Sequence, residues 1–185
     1  ITHSSSGITG NGTTNNVNTG IQPSTAFGSN TGIHLCFYTS TPSNTFSSGV
    51  NTDMGCFNSS NTFLALEVYR PLNVSPLGGV FTTTMVASGA SLGAGNDTTT
   101  WIVENPSSTT LNFYRNGTSY ASVTGTKSTL AYLTGTIRLT CRADNAGTVS
   151  RRTMKTYGFF SIGTTLGDVA AFSAAIATLQ AALGR

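Results

Sequence analysis

The stretch LNFYRNGTSYASV, Leu111 to Val123, encodes a β-hairpin. Asn116-Gly117 is its turn: a two-residue type I′ connection needs φ > 0 at both central positions, which Asn tolerates and Gly adopts at no steric cost, and its twist matches that of paired strands. Alternation supplies the strands on either side. Leu111, Phe113 and Arg115 are expected to point to one face, while Asn112, Tyr114 and, across the turn, Tyr120 supply aromatic and polar groups at period two.

Working outward, further strand-like runs are bounded by Gly, Pro, Asn or Ser clusters. They are IHLCFYTS (33–40), TFLALEVYR (62–70), GVFTTTMVAS (79–88), TTTWIVE (98–104), GTIRLTCRA (135–143) and MKTYGFFSIG (154–163). With the short pieces before residue 21, this predicts roughly nine to twelve strands at sandwich spacing and no helical periods between them to demand a parallel sheet. QPSTAFGSNTG (22–32) is expected to be a loop, and MGCFNSS (54–60) is turn-like.

The period changes at the C-terminus. Val169, Phe172, Ile176, Leu179 and Leu183 recur at three- and four-residue intervals and form one apolar stripe. Thr165 and Asp168 give a Thr-x-x-Asp capping signal, and Gly184 is a left-handed stop. The stripe is expected to dock all five side chains on the sandwich; the alternative is an a/d seam between protomers. The fold expectation is therefore all-β, a two-sheet antiparallel jelly-roll sandwich over about 1–163, closed by one short α-helix over about 165–183, in a single domain of 185 residues.

Composition narrows the class. The 38 % hydrophobic content with 21 Gly and 5 Pro suits one core with many tight turns, whereas only 8 % of residues are charged, about a third of the usual fraction. Ser, Thr and Asn must carry the surface, a mixture typical of exported or virion-surface β-proteins. The net charge of +3 comes from few acids rather than many bases, which makes nucleic acid a poor partner. Arg151, Arg152 and Lys155 read as a solvated strand or loop edge. No run is long and apolar enough to cross a bilayer, so membrane insertion is not expected. The chain begins at Ile1 rather than Met, as a fragment or processed product would. Three cysteines cannot all pair within the chain; Cys36 and Cys141 read as small buried hydrophobes, and neither a disulfide framework nor a zinc site is expected.

The segments GNGTTNNVNTGIQPSTAF (10–27), LNFYRNG (111–117) and FFSIGTTLGDVAAFSAAIATLQAALGR (159–185) together resemble the landmarks of concanavalin A-like, laminin-G-type jelly rolls found at the ends of phage tail and fibre proteins and of bacterial surface proteins. The resemblance implies two stacked antiparallel sheets, a central "LYxNG" hairpin, and a terminal helix after an "IG-x-x-L" segment, here Ile162-Gly163-Thr164-Thr165-Leu166. That superfamily includes lectins, adhesion modules and glucanases, so fold alone selects no activity.

Residues weigh against catalysis. Glucanases of this superfamily place carboxylates along one strand, because retaining glycoside hydrolysis needs two carboxyls about 5 to 5.5 Å apart. Here the six acids, Asp53, Glu67, Asp97, Glu104, Asp144 and Asp168, never fall within five residues of each other, and no nucleophile elbow or phosphate loop occurs. The expectation is a non-catalytic binding or adhesion module for a surface glycan or host receptor, extracellular or on a virion, in a homo-oligomer or larger fibre or particle. Sugar sites pair a stacking aromatic with short hydrogen-bonding groups. Trp101, Tyr38, Tyr69, Tyr114, Tyr120 and Tyr132 are the candidate faces, and Asn96, Asp97, Asp144 and Asn145 the candidate loop hydrogen-bonders. Each has a structural alternative: Trp101 as a core residue of an inner strand, Asp144-Asn145 before Gly147 as an ordinary turn. No cofactor or tightly held metal is expected; the resemblance allows a calcium ion at Asp97 or Asp144, where so few carboxylates give only a millimolar-type site. The competing class is a structural or decoration subunit that contacts protein neighbours rather than glycans.

Overall fold

Asn116 and Gly117 adopt φ of 50° and 78°, the left-handed pair a type I′ turn requires. The computed structural model of the chain describes residues 2–14, 16–28, 31–41, 52–58, 63–67, 77–80, 98–125, 130–150 and 152–185. In chain order its strands are β1 (Thr2–Ser4), β2 (Gly7–Thr9), β3 (Val17–Asn18), β4 (Ile33–Thr41), β5 (Met54–Phe57), β6 (Phe63–Glu67), β7 (Leu77–Val80), β8 (Thr99–Asn105), β9 (Thr110–Arg115), β10 (Thr118–Thr124), β11 (Arg138–Leu139), β12 (Arg142–Ala143), β13 (Val149–Ser150) and β14 (Thr156–Thr164). A four-residue helix α1 (Pro23–Ala26), a 3₁₀ turn at Leu130–Tyr132 and the C-terminal helix α2 (Val169–Ala182) complete it. The expected strand residues 68–70 and 81–88 lie outside the described residues.

Two sheets result. The first runs β1-β2-β14-β4-β8-β9-β10 and is antiparallel throughout. The second centres on β5, which pairs antiparallel with β6 and β11 but parallel with β12, a departure from the all-antiparallel expectation. Ile33, Leu35, Phe37, Trp101, Val103, Leu111 and Phe113 of the first sheet meet Met54, Cys56, Leu64, Leu66 and Leu139 of the second in one core. At roughly 25 cal/mol per Å² of apolar surface removed from water, this shared core is the main stabilising term.

Several expectations are corrected. MGCF is a strand rather than a turn; Gly55 is there because a Cβ would lie 2.6 Å from the Cβ of Ala65 on the neighbouring strand. The run 135–143 is not one strand: Thr140 takes φ of 68°, an outlier for a β-branched residue, and the chain breaks there into β11 and β12. QPSTAF contains α1. Tyr120 does not join Asn112 and Tyr114. A two-residue turn pairs Thr118 with Arg115, so position 120 falls beside Phe113, where a bulge between Ser119 and Ala121 seats its ring against Trp101.

The helix begins at Val169, four residues later than the capping signal suggested. Asp168 alone caps it, its carboxylate accepting the Ala171 N–H at 2.9 Å, and Gly184 takes φ of 71° at the far end. α2 lies on the outer face of the first sheet, over Cys36, Tyr38, Ile102, Tyr114 and Phe159. Docking is not through the full apolar stripe. The helix is rolled toward Ser173, Ile176 and Gln180, which are buried, with Val169 and Phe172 at the margin, so that Leu179 and Leu183 remain 44 % and 51 % exposed. Gln180 is drawn in by the carbonyl of Gly158, and Arg185 bonds the same carbonyl at 3.2 Å and that of Ser5, tying the helix end to the β1–β2 turn.

The hairpin turn itself supports α2. A Cβ at Gly117 would lie 3.0 Å from the Cα of Ala170 and 3.1 Å from the Cβ of Ser173, whereas one at Gly20, with φ of 74°, meets nothing within 4 Å. Gly117→Ala is therefore expected to destabilise the protein by more than Gly20→Ala, which carries only the left-handed penalty of about 1 kcal/mol. Urea unfolding of the two variants checks this.

Candidate functional site

Two grooves lie near α2, one along its flank and one beyond its C-terminal end. One, of about 360 Å³, lies between the helix and the β8–hairpin end, lined by Tyr38, Thr98, Thr100, Asn116, Ser173 and Ala174. Its floor comes from strand alternation: Tyr38 and Thr100 are cross-strand partners on β4 and β8. Asn116 is fixed because its side-chain oxygen accepts the Thr100 N–H and the Thr99 hydroxyl, each at 2.9 Å, and its amide N–H groups have no partner among the described residues. Among the described residues, no carboxylate or basic side chain lines this groove. The second groove, about 380 Å³, sits near the far end of α2, with His3, Ser4, Ile8, Gly158, Phe160 and Arg185 on its walls.

The residues singled out in the sequence do not converge. Trp101 is 1 % exposed, in the core between the sheets, with Tyr120 edge-on at 5.1 Å and the Arg115 guanidinium 5.8 Å from its ring. It offers no face to a ligand, and the stacking role is corrected to a core one. Asp144 and Asn145 form a turn. Asp144 accepts the Thr148 N–H at 2.7 Å, while Asn145 accepts the N–H groups of Thr134 and Gly135 and donates to the Tyr132 carbonyl, so its side chain holds two loops together. Asn96, Asp97 and Tyr69 lie outside the described residues. Among the described residues, no three His, Cys, Asp or Glu side chains gather where a metal could sit. Tyr114 and Tyr120 are partly buried, and Tyr132 is 57 % exposed beside the Asn145 turn.

Of the residues that line the groove between α2 and the hairpin, only Tyr38 was singled out in the sequence as a candidate face; the rest lie up to 139 positions from it and are Thr, Ser, Asn and Ala, types too common here to stand out. The signal that was present is the hairpin turn, whose Asn116 serves both the fold and the groove.

A second polar cluster lies beneath α2. His34 Nδ1 donates to the Thr164 carbonyl at 2.5 Å, leaving Nε2 to accept the Ser161 hydroxyl at 2.8 Å. Such a Ser–His pair can activate a hydroxyl. Here Phe172 packs edge-on against the imidazole, with ring centres 5.8 Å apart, and neither His34 nor Ser161 lines a groove. Glu104 is cross-strand from His34 but accepts the Leu166 N–H at 2.6 Å. The cluster fastens the joint between β14 and α2. The cysteines are free and buried; burial pushes the thiols of Cys56 and Cys141 up to about 12 and that of Cys36 higher, so none is a ready nucleophile at neutral pH.

No family model matches the chain, and no curated protein does. Among solved structures it is similar to the Trypanosoma rangeli sialidase in complex with the inhibitor DANA, at 14 % identity and a TM-score of 0.46, over 78 % of this chain and 23 % of that one. The chain thus spans less than a quarter of that sialidase's length, and a likeness at this level carries no inference about activity.

Two outcomes are expected. Trp101→Ala should cost about 3–5 kcal/mol in chemical unfolding, as loss of a large core aromatic does. Burial lowers the pKa of His34 below its ordinary value of 6.5, although the Thr164 carbonyl and Glu104 oppose the shift. Unfolding then takes up a proton below that value, so the stability His34 contributes is present above pH 6.5 and lost as pH falls toward its folded-state pKa. Melting temperatures measured from about pH 7.5 to 5 should fall less steeply for His34→Gln than for the parent.

Proposed function

We propose that the chain is a non-catalytic binding module that holds a neutral, hydroxyl-rich ligand, a surface glycan or glycosylated host receptor, in the groove between the hairpin tip and α2. The observation that carries this is the groove's chemistry. It combines an edge of the Tyr38 ring, which is 6 % exposed, with the hydroxyls of Thr98, Thr100 and Ser173 and the amide of Asn116, and no carboxylate or basic side chain lines it among the described residues. Such a surface suits a pyranose, which presents an apolar face and a rim of hydroxyls. The two-sheet sandwich with its closing helix is, on this proposal, a concanavalin A-like jelly roll. The hairpin, the Ile162–Leu166 joint and the Gly184-Arg185 end fall where that resemblance expects a central turn, a strand-to-helix joint and a closing helix. We place the protein outside the cell or on a virion, in several copies on one fibre or particle, where avidity adds factors of about 10² to 10⁴ to a weak single site.

Exposed Leu179 and Leu183 on α2 favour a second reading, a structural or decoration subunit that covers this edge with a protein neighbour. The two are separable. Ala174 is exposed and lines the groove, so Ala174→Trp should fill it without unfolding the protein. A multivalent display of the parent is expected to adhere to host cells or a glycan array, and the A174W display to lose adhesion at an unchanged melting temperature. Parent adhesion no better than that of an unrelated β-sandwich overturns the glycan proposal, and sugar release from the same glycans overturns its non-catalytic part.

A further inference from the structure

Asp53 stands one residue before β5 in the second sheet, and Lys155 one residue before β14 in the first. Both are 1 % exposed. The Lys155 Nζ lies 2.7 Å from Asp53 Oδ1, and the Tyr157 hydroxyl, also within reach of Thr153 Oγ1 at 3.3 Å, donates to that same oxygen at 2.5 Å. The Phe37 ring centre is 5.5 Å from Nζ, and Phe37 packs edge-on against Tyr157. A primary amine, a carboxyl group and a hydrogen-bond donor on the carboxyl oxygen thus meet inside an apolar, water-excluded core, where the amine can reach the carboxyl carbon one bond, about 1.2 Å, beyond Oδ1.

We propose that Asp53 and Lys155 condense into an amide, a covalent link between the two sheets. The reaction starts when one proton passes from the ammonium to the carboxylate across their 2.7 Å contact, giving a neutral amine and a carboxylic acid. Nζ then adds to Cγ, and the oxygen that gains negative charge is Oδ1, already held by the Tyr157 O–H; burial raises the pKa of Tyr157 well above its ordinary value, so the phenol keeps its proton for this role. The C–O bond to the protonated second oxygen breaks, and that hydroxyl leaves as water with a second proton from nitrogen. One N–C bond forms, one C–O bond breaks, one water departs, and no oxidant or cofactor enters. Held geometry supplies the rate, as in intramolecular reactions generally, and exclusion of water from the core slows the reverse hydrolysis.

The intact mass of the purified, denatured protein tests this. It is expected to lie one water, about 18 Da, below the sequence mass, and digestion should yield a branched peptide joining the segment containing Asp53 to that containing Lys155. Tyr157→Phe keeps both reacting groups and should leave a fraction at full mass that falls with time at neutral pH. Lys155→Met should remain at full mass whether or not it folds. Full sequence mass for the folded parent after prolonged incubation overturns the proposal. So does a loss of one water that maps elsewhere, such as to a succinimide at Asp53-Met54.

Discussion

The contact on which the two sheets depend is the buried meeting of Asp53, Lys155 and Tyr157. Asp53 holds more than Lys155: its N–H donates to Leu66 on β6, and its carbonyl accepts from Thr140, whose own carbonyl accepts from Thr153. That chain of bonds runs from the middle of one sheet to the approach of β14 in the other. It also accounts for the left-handed Thr140, a conformation costing about 1–3 kcal/mol that persists only where its surroundings fix it. Reversal at Thr140 brings both Arg138 and Arg142 into register with Gly55, which is how β11 pairs antiparallel and β12 parallel with one strand. In the unlinked pair, removing one partner would leave an uncompensated charge, at about 3–5 kcal/mol.

A second constraint is that the centre of the first sheet is covered on both faces, by the other sheet and by α2. β8 is buried at every position from Thr99 to Asn105, so both rows of its side chains belong to packed layers. Large side chains on β4 and β8 are therefore nearly closed off from solvent, and Tyr38, 6 % exposed, reaches a groove only at its edge. What remains open on this side is the seam where the helix meets the sheet, and the small residues Ala170, Ala174 and Ala177 keep that seam from closing.

The hairpin was legible because type I′ turn chemistry is local, and α2 because its period differs from that of the strands. Less local features were not. MGCF carries no alternation, and its strand character comes from neighbours on both sides. The break at Thr140 is imposed by bonds to Asp53 and Thr153, far away in sequence. The roll of α2 was hidden because Gln180, polar by type, is buried when Gly158 offers a carbonyl and leaves space that a Cβ would fill, while Leu179 beside it turns outward. Trp101 was ambiguous for the reason that β8 has no solvent face: in a strand buried on both sides, type and parity do not separate a core ring from a binding ring.

The acids show how the same constraints bear on chemistry. With only six in the chain, each one spent on structure matters. Asp53 joins the sheets, Glu104 holds the Leu166 N–H at the entry to α2, Asp144 closes the turn before β13, and Asp168 caps the helix. Each accepts hydrogen bonds that the fold needs, and two of the four are fully buried within packed layers. Acid–base hydrolysis requires two carboxyls facing a common cleft, one of them held protonated. None of these four lines either groove beside α2. On the proposed reading, with these four carboxylates committed to joints, turns and a cap, the groups offered to a neutral polar ligand at the open seam are hydroxyls, an amide and the edge of a tyrosine.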